Sequence, residues 1–307
     1  MKIQNQLGYV LLVGAIAAVA QPATGQPAGA PAKLTVGIFA PSVEFGTAQQ
    51  RLTYVQSLAK AIETNTGVKT EAQSFASLSA LKSGKVDYAI VDGPCYATNL
   101  SWKLLANAEV GGGTTRTWGL YSSAGDKMQA LQGKKLAFVQ MGCNDKAFID
   151  NAMLESEVDD SFFSARIGKP DVAAAVAEVA SLKGAQAVFA PSGSQKGLTK
   201  VFDTGAVPNP AFVQINSGIS SSINDKVASA VTGFGGSGAI SGWSAGAKSP
   251  YQGLAGRMGK VTKKGVFAAP ESVRVDAKDV LIDPPTLDHA ASTDVLQHVA
   301  RPPERLE

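Results

Sequence analysis

The chain has 307 residues, 28 Lys and Arg against 25 Asp and Glu, a formal charge of +3 and 45% apolar residues. That apolar fraction excludes a disordered chain, and the length allows one large or two medium domains with real cores. Two cysteines exclude a disulfide-rich scaffold, an Fe–S protein and a cysteine-built zinc site, and the balanced charge gives no reason to expect nucleic acid as a partner.

The first residues read as an address label. Lys2 gives a positive start, Leu7–Ala20 is a short apolar run, and Ala18-Val19-Ala20 offers a small-x-small cleavage site. The run is too short for a spanning helix, which needs ~20 apolar residues. Residues 1–25 are therefore expected to be a cleaved signal peptide, followed by a Pro/Ala-rich linker. The mature protein is expected in the periplasm with no membrane insertion, in a compartment that permits disulfides.

From Leu34 the pattern alternates. Leu34–Phe39 is a strand and Ala40–Gly46 a loop. Thr47–Thr64 has helical apolar spacing (Leu52, Val55, Leu58, Ala59, Ile62) and stops at Gly67. Val68–Gln73 reads as a weak strand, Ser77–Ser83 as a short helix, Val86–Val91 as a strand and Tyr96–Ala106 as a helix. After Gly111-Gly112-Gly113 a second unit begins with strand Arg116–Ser122, a short helix Met128–Leu131 and strand Lys135–Val139. Helix Lys146–Glu155, helix Asp171–Ser181 and strand Ala187–Ala190 follow. Phe212–Ile215 and Asn224–Thr232 read as a returning strand and helix. Residues 233–250 are rich in Gly, Ser and Ala, and a weakly patterned tail starts at Tyr251.

Strands alternating with helices predict mostly parallel sheets covered on both faces, with ligands beyond the carboxyl ends of the strands. Loops Ala40–Gly46, Gln73–Ala76, Asp92–Tyr96, Met141–Asp145 and Pro191–Ser194 fall at that edge. His289 and His298 are the only histidines, so the body of the fold holds no histidine for a catalytic triad, and there is no Gly-x-Ser-x-Gly elbow. The sequence does not read as an enzyme, and nothing in it calls for a cofactor or a metal.

Four segments together carry a resemblance: Leu34–Phe39, Leu81–Tyr88 (LKSGKVDY), Gly93-Pro94-x-Tyr96 and Leu131–Phe138 (LQGKKLAF). Over about residues 33–232 the chain resembles the periplasmic solute-binding proteins of the phosphonate/phosphate ABC-transporter family. The resemblance implies a type II two-lobed α/β fold with mixed, mostly parallel sheets and a double-crossover hinge. Lobe 1 is then 33–115 plus 209–250, lobe 2 is 116–208, and 251–307 is a C-terminal extension.

Phosphate-type members of that family hold the anion on a Ser-Thr-Ser loop after the Leu-x-Gly-Lys-x-x-Ala-Phe strand. Here the loop reads Gly142-Cys143-Asn144-Asp145, with a carboxylate that repels a dianion unless turned away. Cys95 and Cys143 each lie in a ligand-edge loop, one per lobe. Three readings stand: small buried residues, an inter-lobe disulfide that hampers opening, or thiols that bind a thiophilic solute. The third leads to arsenite, a neutral oxyanion acid, and to a similarity with the family's arsenic-oxyanion sensors, which signal to a membrane histidine kinase. The expected ligand set is Cys95, Cys143, Asn144, Asp145, Tyr96, Gly93, Ser42, Glu44, Trp118 and Ser192. The alternatives are a receptor for phosphonate, phosphate or phosphite linked to an ABC permease, and a periplasmic scaffold that docks a partner through its tail.

Overall fold

The computed structural model describes residues 31–182, 184–195, 197–236 and 238–259. The signal-peptide reading and most of the expected C-terminal extension, with His289 and His298, lie outside them.

The chain begins with β1 (Leu34–Phe39), α1 (Ala48–Thr66), β2 (Thr70–Ser74), α2 (Leu78–Ser83), β3 (Tyr88–Val91), α3 (Gly93–Ala97) and β4 (Lys103–Glu109). It crosses over into β5 (Thr115–Ser122), β6 (Lys135–Val139), α4 (Asp145–Ala147), β7 (Ala165–Lys169), α5 (Val172–Ala180), β8 (Ala187–Pro191) and β9 (Thr199–Pro208). It returns as β10 (Ala211–Gln214), α6 (Ser221–Thr232), β11 (Gly242–Ala245) and α7 (Ser249–Met258). A six-stranded sheet has the order β11-β4-β10-β3-β1-β2, and a five-stranded sheet the order β7-β6-β8-β5-β9. Both are mixed: β1, β2 and β3 run parallel in the first and β6, β7 and β8 in the second, while β10 and β5 run antiparallel to their neighbours.

The local causes are simple. Every residue of β1, β3 and β8 is buried, as strands covered on both faces require. Thr47 caps α1 by accepting from Gln50 N, and Gly67 ends it at φ 73°, where a side chain would strain the backbone. Ser77, Asp171 and Ser220 cap α2, α5 and α6 in the same way.

Two expectations fail. Tyr96–Ala106 is not one helix: α3 stops at Ala97, and Lys103–Glu109 pairs with β10 and β11 as an interior strand. The expected boundary at Tyr251 falls inside α7. That helix packs against α3, β9 and the π-helical turn Phe148–Met153, and Tyr251 is fully buried. Tyr251 Oη lies 3.0 Å from Asn107 Nδ2 and donates to the Asn209 carbonyl at 3.0 Å, so the start of the tail is part of the core.

One apolar cluster runs from Phe39, Val91 and Tyr96 beside the first sheet to Met141, Phe148 and Val172 beside the second. The two sheets therefore meet across a continuous interior at their carboxyl edges.

Candidate functional site

The β1–α1 loop, the start of α3 and the loops after β6, β7 and β8 all emerge at these edges. At the center is Asp92, fully buried, which accepts from Ser42 N at 2.7 Å and forms a short hydrogen bond with Ser42 Oγ. Arg116, at the start of β5, donates from Nη2 to the Ser42 carbonyl and hydroxyl at 3.2 Å each, and from Nε to Asn209 Oδ1 at 2.7 Å. Burial holds the Asp92 carboxyl above the usual carboxylate range and the Arg116 guanidinium below its own; the Ser42 hydrogen bonds and the Arg116 charge oppose the first shift. Ser42 is thus a framework residue, 2% exposed and occupied by Asp92.

Cys95 and Cys143 form a disulfide with Cα atoms 4.9 Å apart, inside the normal span for such a bridge. It joins α3 of the first lobe to the loop after β6 in the second. Of the three cysteine readings, the inter-lobe disulfide is the one found. The expected thiol ligands are corrected accordingly: both sulfurs are spent on each other, and neither offers a thiolate in this state.

Asp145 is turned back on its own loop. Its carboxylate accepts from Met141 N (3.3 Å), Gly142 N (3.0 Å) and Cys143 N (3.4 Å). The backbone donors of this loop are taken up by a carboxylate from the chain itself. Asn144 beside it is exposed, with φ 62°.

The remaining expected residues separate. Tyr96 is buried against Tyr251, its hydroxyl donating to the Trp102 carbonyl at 3.3 Å, and burial pushes its phenol up to about 12. Trp118 is buried edge-on to Phe148. Neither lines a cleft. Gly93 serves the crossover, since a Cβ there would collide with the Pro208 carbonyl. Ser192 is exposed and accepts from Tyr121 Oη at 3.2 Å. Glu44 accepts from Ser194 Oγ at 2.7 Å across the two lobes.

Of the ten, Glu44 alone borders the open cavity of about 370 Å³ between the lobes. Its first wall is the β1–α1 loop and the first turn of α1, with Pro41, Val43 to Ala48 and Arg51; its second is Pro170–Ala173, at the start of α5. Arg51 Nε donates to Ser74 Oγ at 2.9 Å, and its terminal nitrogens have no hydrogen-bond partner among the described residues. The N-termini of the 19-residue α1 and the 9-residue α5 both border the space; that of α1 carries partial positive charge, while at α5 the Asp171 carboxylate accepts from Ala174 N and offsets it. Arg51 was not among the expected residues. The signal was present, because it lies in the first turn of a helix opening at the ligand edge.

No protein-family model matches the chain, and no curated protein matches it. Solved structures do. PhnD1 from Prochlorococcus marinus, in complex with methylphosphonate, superposes with a TM-score of 0.57 at 11% identity, covering 74% of this chain and 97% of that one. The binding-protein component of an ABC phosphonate transporter from Pseudomonas aeruginosa gives 0.55 at 12% identity, covering 69% and 81%. A Xanthomonas citri protein bound to ATP gives 0.56 at 11% identity, covering 74% and 97%. The chain has the two-lobed periplasmic-binding-protein fold. At these identities the likeness is one of architecture alone. No helix among the described residues is long and apolar enough to cross a membrane.

Proposed function

We propose that the protein is a periplasmic solute-binding protein that presents a small oxyanion to an ABC permease, with phosphonate, phosphate or phosphite as the ligand class. The lobes are taken as 33–115 with 209–250, and 116–208. The observation that carries this reading is the inter-lobe cavity, where the Arg51 guanidinium and the N-terminus of α1 lie at the carboxyl edges, while the Glu44 and Asp171 carboxylates of the same lining are held by Ser194 Oγ and Ala174 N. Bonds made to both walls at once exist only when the lobes are together, so ligand favours the closed form, whose surface a permease reads.

Arsenite sensing through cysteine thiols, with a membrane sensor kinase as partner, ranks second because both sulfurs are in the disulfide. That reading requires the reduced protein.

Calorimetry of the oxidised protein with methylphosphonate, phosphate, phosphite and arsenite separates the two. Binding of one phosphorus oxyanion that is lost in Arg51→Met supports the proposal. Arsenite binding that appears on reduction, with no response to the phosphorus compounds in either state, overturns it.

A further inference from the structure

Besides the apolar packing that α7 makes with α3 on one side and with β9 and the π-helical turn on the other, the lobes are joined in four ways. Two are the backbone crossovers, 109–115 and 208–211. A third is a set of single hydrogen bonds, such as Ser194 to Glu44. The fourth is covalent. The Cys95–Cys143 bridge lies at the facing carboxyl edges of the two sheets, inside the apolar cluster that spans them. Hinge motion that parts these edges must separate α3 from the loop after β6. With their Cα atoms tied 4.9 Å apart, that separation is blocked.

We propose that this disulfide is a redox latch on lobe opening. Oxidised, it holds the lobes together and slows solute exchange; reduced, it releases them. The chemistry is ordinary thiol–disulfide exchange with a dithiol reductant. One thiolate of the reductant attacks Sγ of Cys143, the less buried of the two residues at 3% exposure against 0% for Cys95. The S–S bond breaks and Cys95 leaves as thiolate. The reductant's second thiolate then attacks the mixed disulfide and releases Cys143. Two electrons and two protons pass to the protein, and the reductant leaves as its own disulfide.

A second observation suits the dithiol state. The Met141 carbonyl oxygen lies 3.1 Å from Cys143 Sγ and 3.9 Å from Cys95 Sγ. A disulfide has no hydrogen to offer this acceptor, whereas the two thiols do. The reduced loop thus has a partner waiting for its new S–H groups. Asp145, holding the N–H groups of Met141, Gly142 and Cys143, keeps that loop in shape when the bridge is open.

The latch controls access to the cavity of the proposed receptor and so rests on that reading for its purpose, but its mechanical part is tested separately. Small-angle scattering is recorded on the full chain, oxidised and after treatment with dithiothreitol, with thiol titration confirming two thiols per chain. The expected result is a larger radius of gyration on reduction, with secondary structure unchanged by circular dichroism. The Cys95→Ser/Cys143→Ser double variant is expected to match the reduced protein without reductant. An unchanged radius in the fully reduced protein overturns the latch, as does a bridge that dithiothreitol cannot reduce in the folded chain. Stopped-flow binding of methylphosphonate supplies the second arm. Association should be faster by roughly tenfold or more once the lobes are free to open. If the lobes open but no phosphorus oxyanion binds, the latch stands and the receptor reading falls. Equal association rates in both redox states overturn the latch and leave the receptor reading standing.

Discussion

Arg116 Nε donates to Asn209 Oδ1 at 2.7 Å, and through that bond the start of one crossover strand grips the other crossover. Asn209 completes the knot by donating from Nδ2 to the Gly113 carbonyl at 2.6 Å and from its backbone N to the Thr114 carbonyl at 2.8 Å. The same guanidinium reaches Ser42, which in turn holds Asp92. Hinge and ligand-edge loop are therefore one polar network.

Removing the cation from that network should cost more than removing a surface charge. Arg116→Ala leaves the fully buried Asp92 without its positive neighbor and Asn209 Oδ1 without its donor. Leaving buried hydrogen-bond acceptors such as Asn209 Oδ1 without their donor costs about 1–3 kcal/mol, more than removing an exposed charge such as that of Lys33 beside Glu71. Urea unfolding of Arg116→Ala beside Lys33→Ala measures both. Equal losses would show that Arg116 bears no more of the fold's stability than a solvated lysine.

Gly93 and Gly253 are expected to respond to alanine with opposite signs. A methyl group on Gly93 would run into the Pro208 carbonyl, which is backbone of the second crossover and cannot rotate away. A methyl on Gly253, inside α7, meets nothing within 4 Å. Gly93→Ala should lower the melting temperature and weaken any ligand bound between the lobes. Gly253→Ala should stabilise the protein by up to ~1 kcal/mol, the ordinary helix advantage of alanine over glycine. Thermal melts of the two variants provide the check.

The parts of this fold legible in the sequence are those whose burial is two-sided or whose caps are chemical. β1, β3, β6 and β8 are short apolar runs, and Thr47, Ser77 and Asp171 mark the helix starts that the structure uses. The parts missed depend on partners far along the chain. β4 reads KLLANAE, whose mixed pattern resembles a helix until β10 and β11 flank it. β9 is a half-exposed edge strand with register shifts against β5, and β11 is four residues in a Gly-rich stretch. In α7, two glycines weaken the helical signal, and the packing of Tyr251, Leu254 and Met258 outweighs it. The site was legible as a set of loops rather than as a set of side chains. Spacing placed Cys95 and Cys143 at the facing edges, but only three dimensions join them and aim Asp145 at its own loop.

Asp92 gives stability a pH dependence of defined sign. Burial raises its carboxyl pKa in the folded state above the ordinary value of 3.8. The folded protein therefore holds this proton more tightly than the unfolded chain does. Its contribution is fully present below 3.8 and is lost as pH rises through the raised folded-state value. Asp92→Asn cannot titrate, so its stability relative to wild type should improve as pH rises through that window. Urea midpoints of both proteins from pH 3 upward, at constant ionic strength, test this. A difference that does not change with pH would place the ionisation of Asp92 outside the linkage.

The disulfide should stabilise the fold as well as tie its lobes. It closes a loop between residues 48 apart in sequence. In the chain-entropy treatment, opening a loop of that size returns about 4 kcal/mol of conformational freedom to the unfolded ensemble. Reduction of the wild type and the Cys95→Ser/Cys143→Ser variant should therefore both lower unfolding free energy by about that amount. Guanidinium titrations of oxidised wild type, reduced wild type and the double serine variant compare them directly. The reduced and variant curves should nearly coincide, because both lack the crosslink and keep a small hydrogen-bonding side chain next to the Met141 carbonyl. A loss well below 4 kcal/mol in both would indicate that the unfolded chain keeps residues 95 and 143 near each other without the bond. A loss in the serine variant much larger than in the reduced protein would instead assign the cost to replacing sulfur in the apolar cluster around Phe39 and Met141.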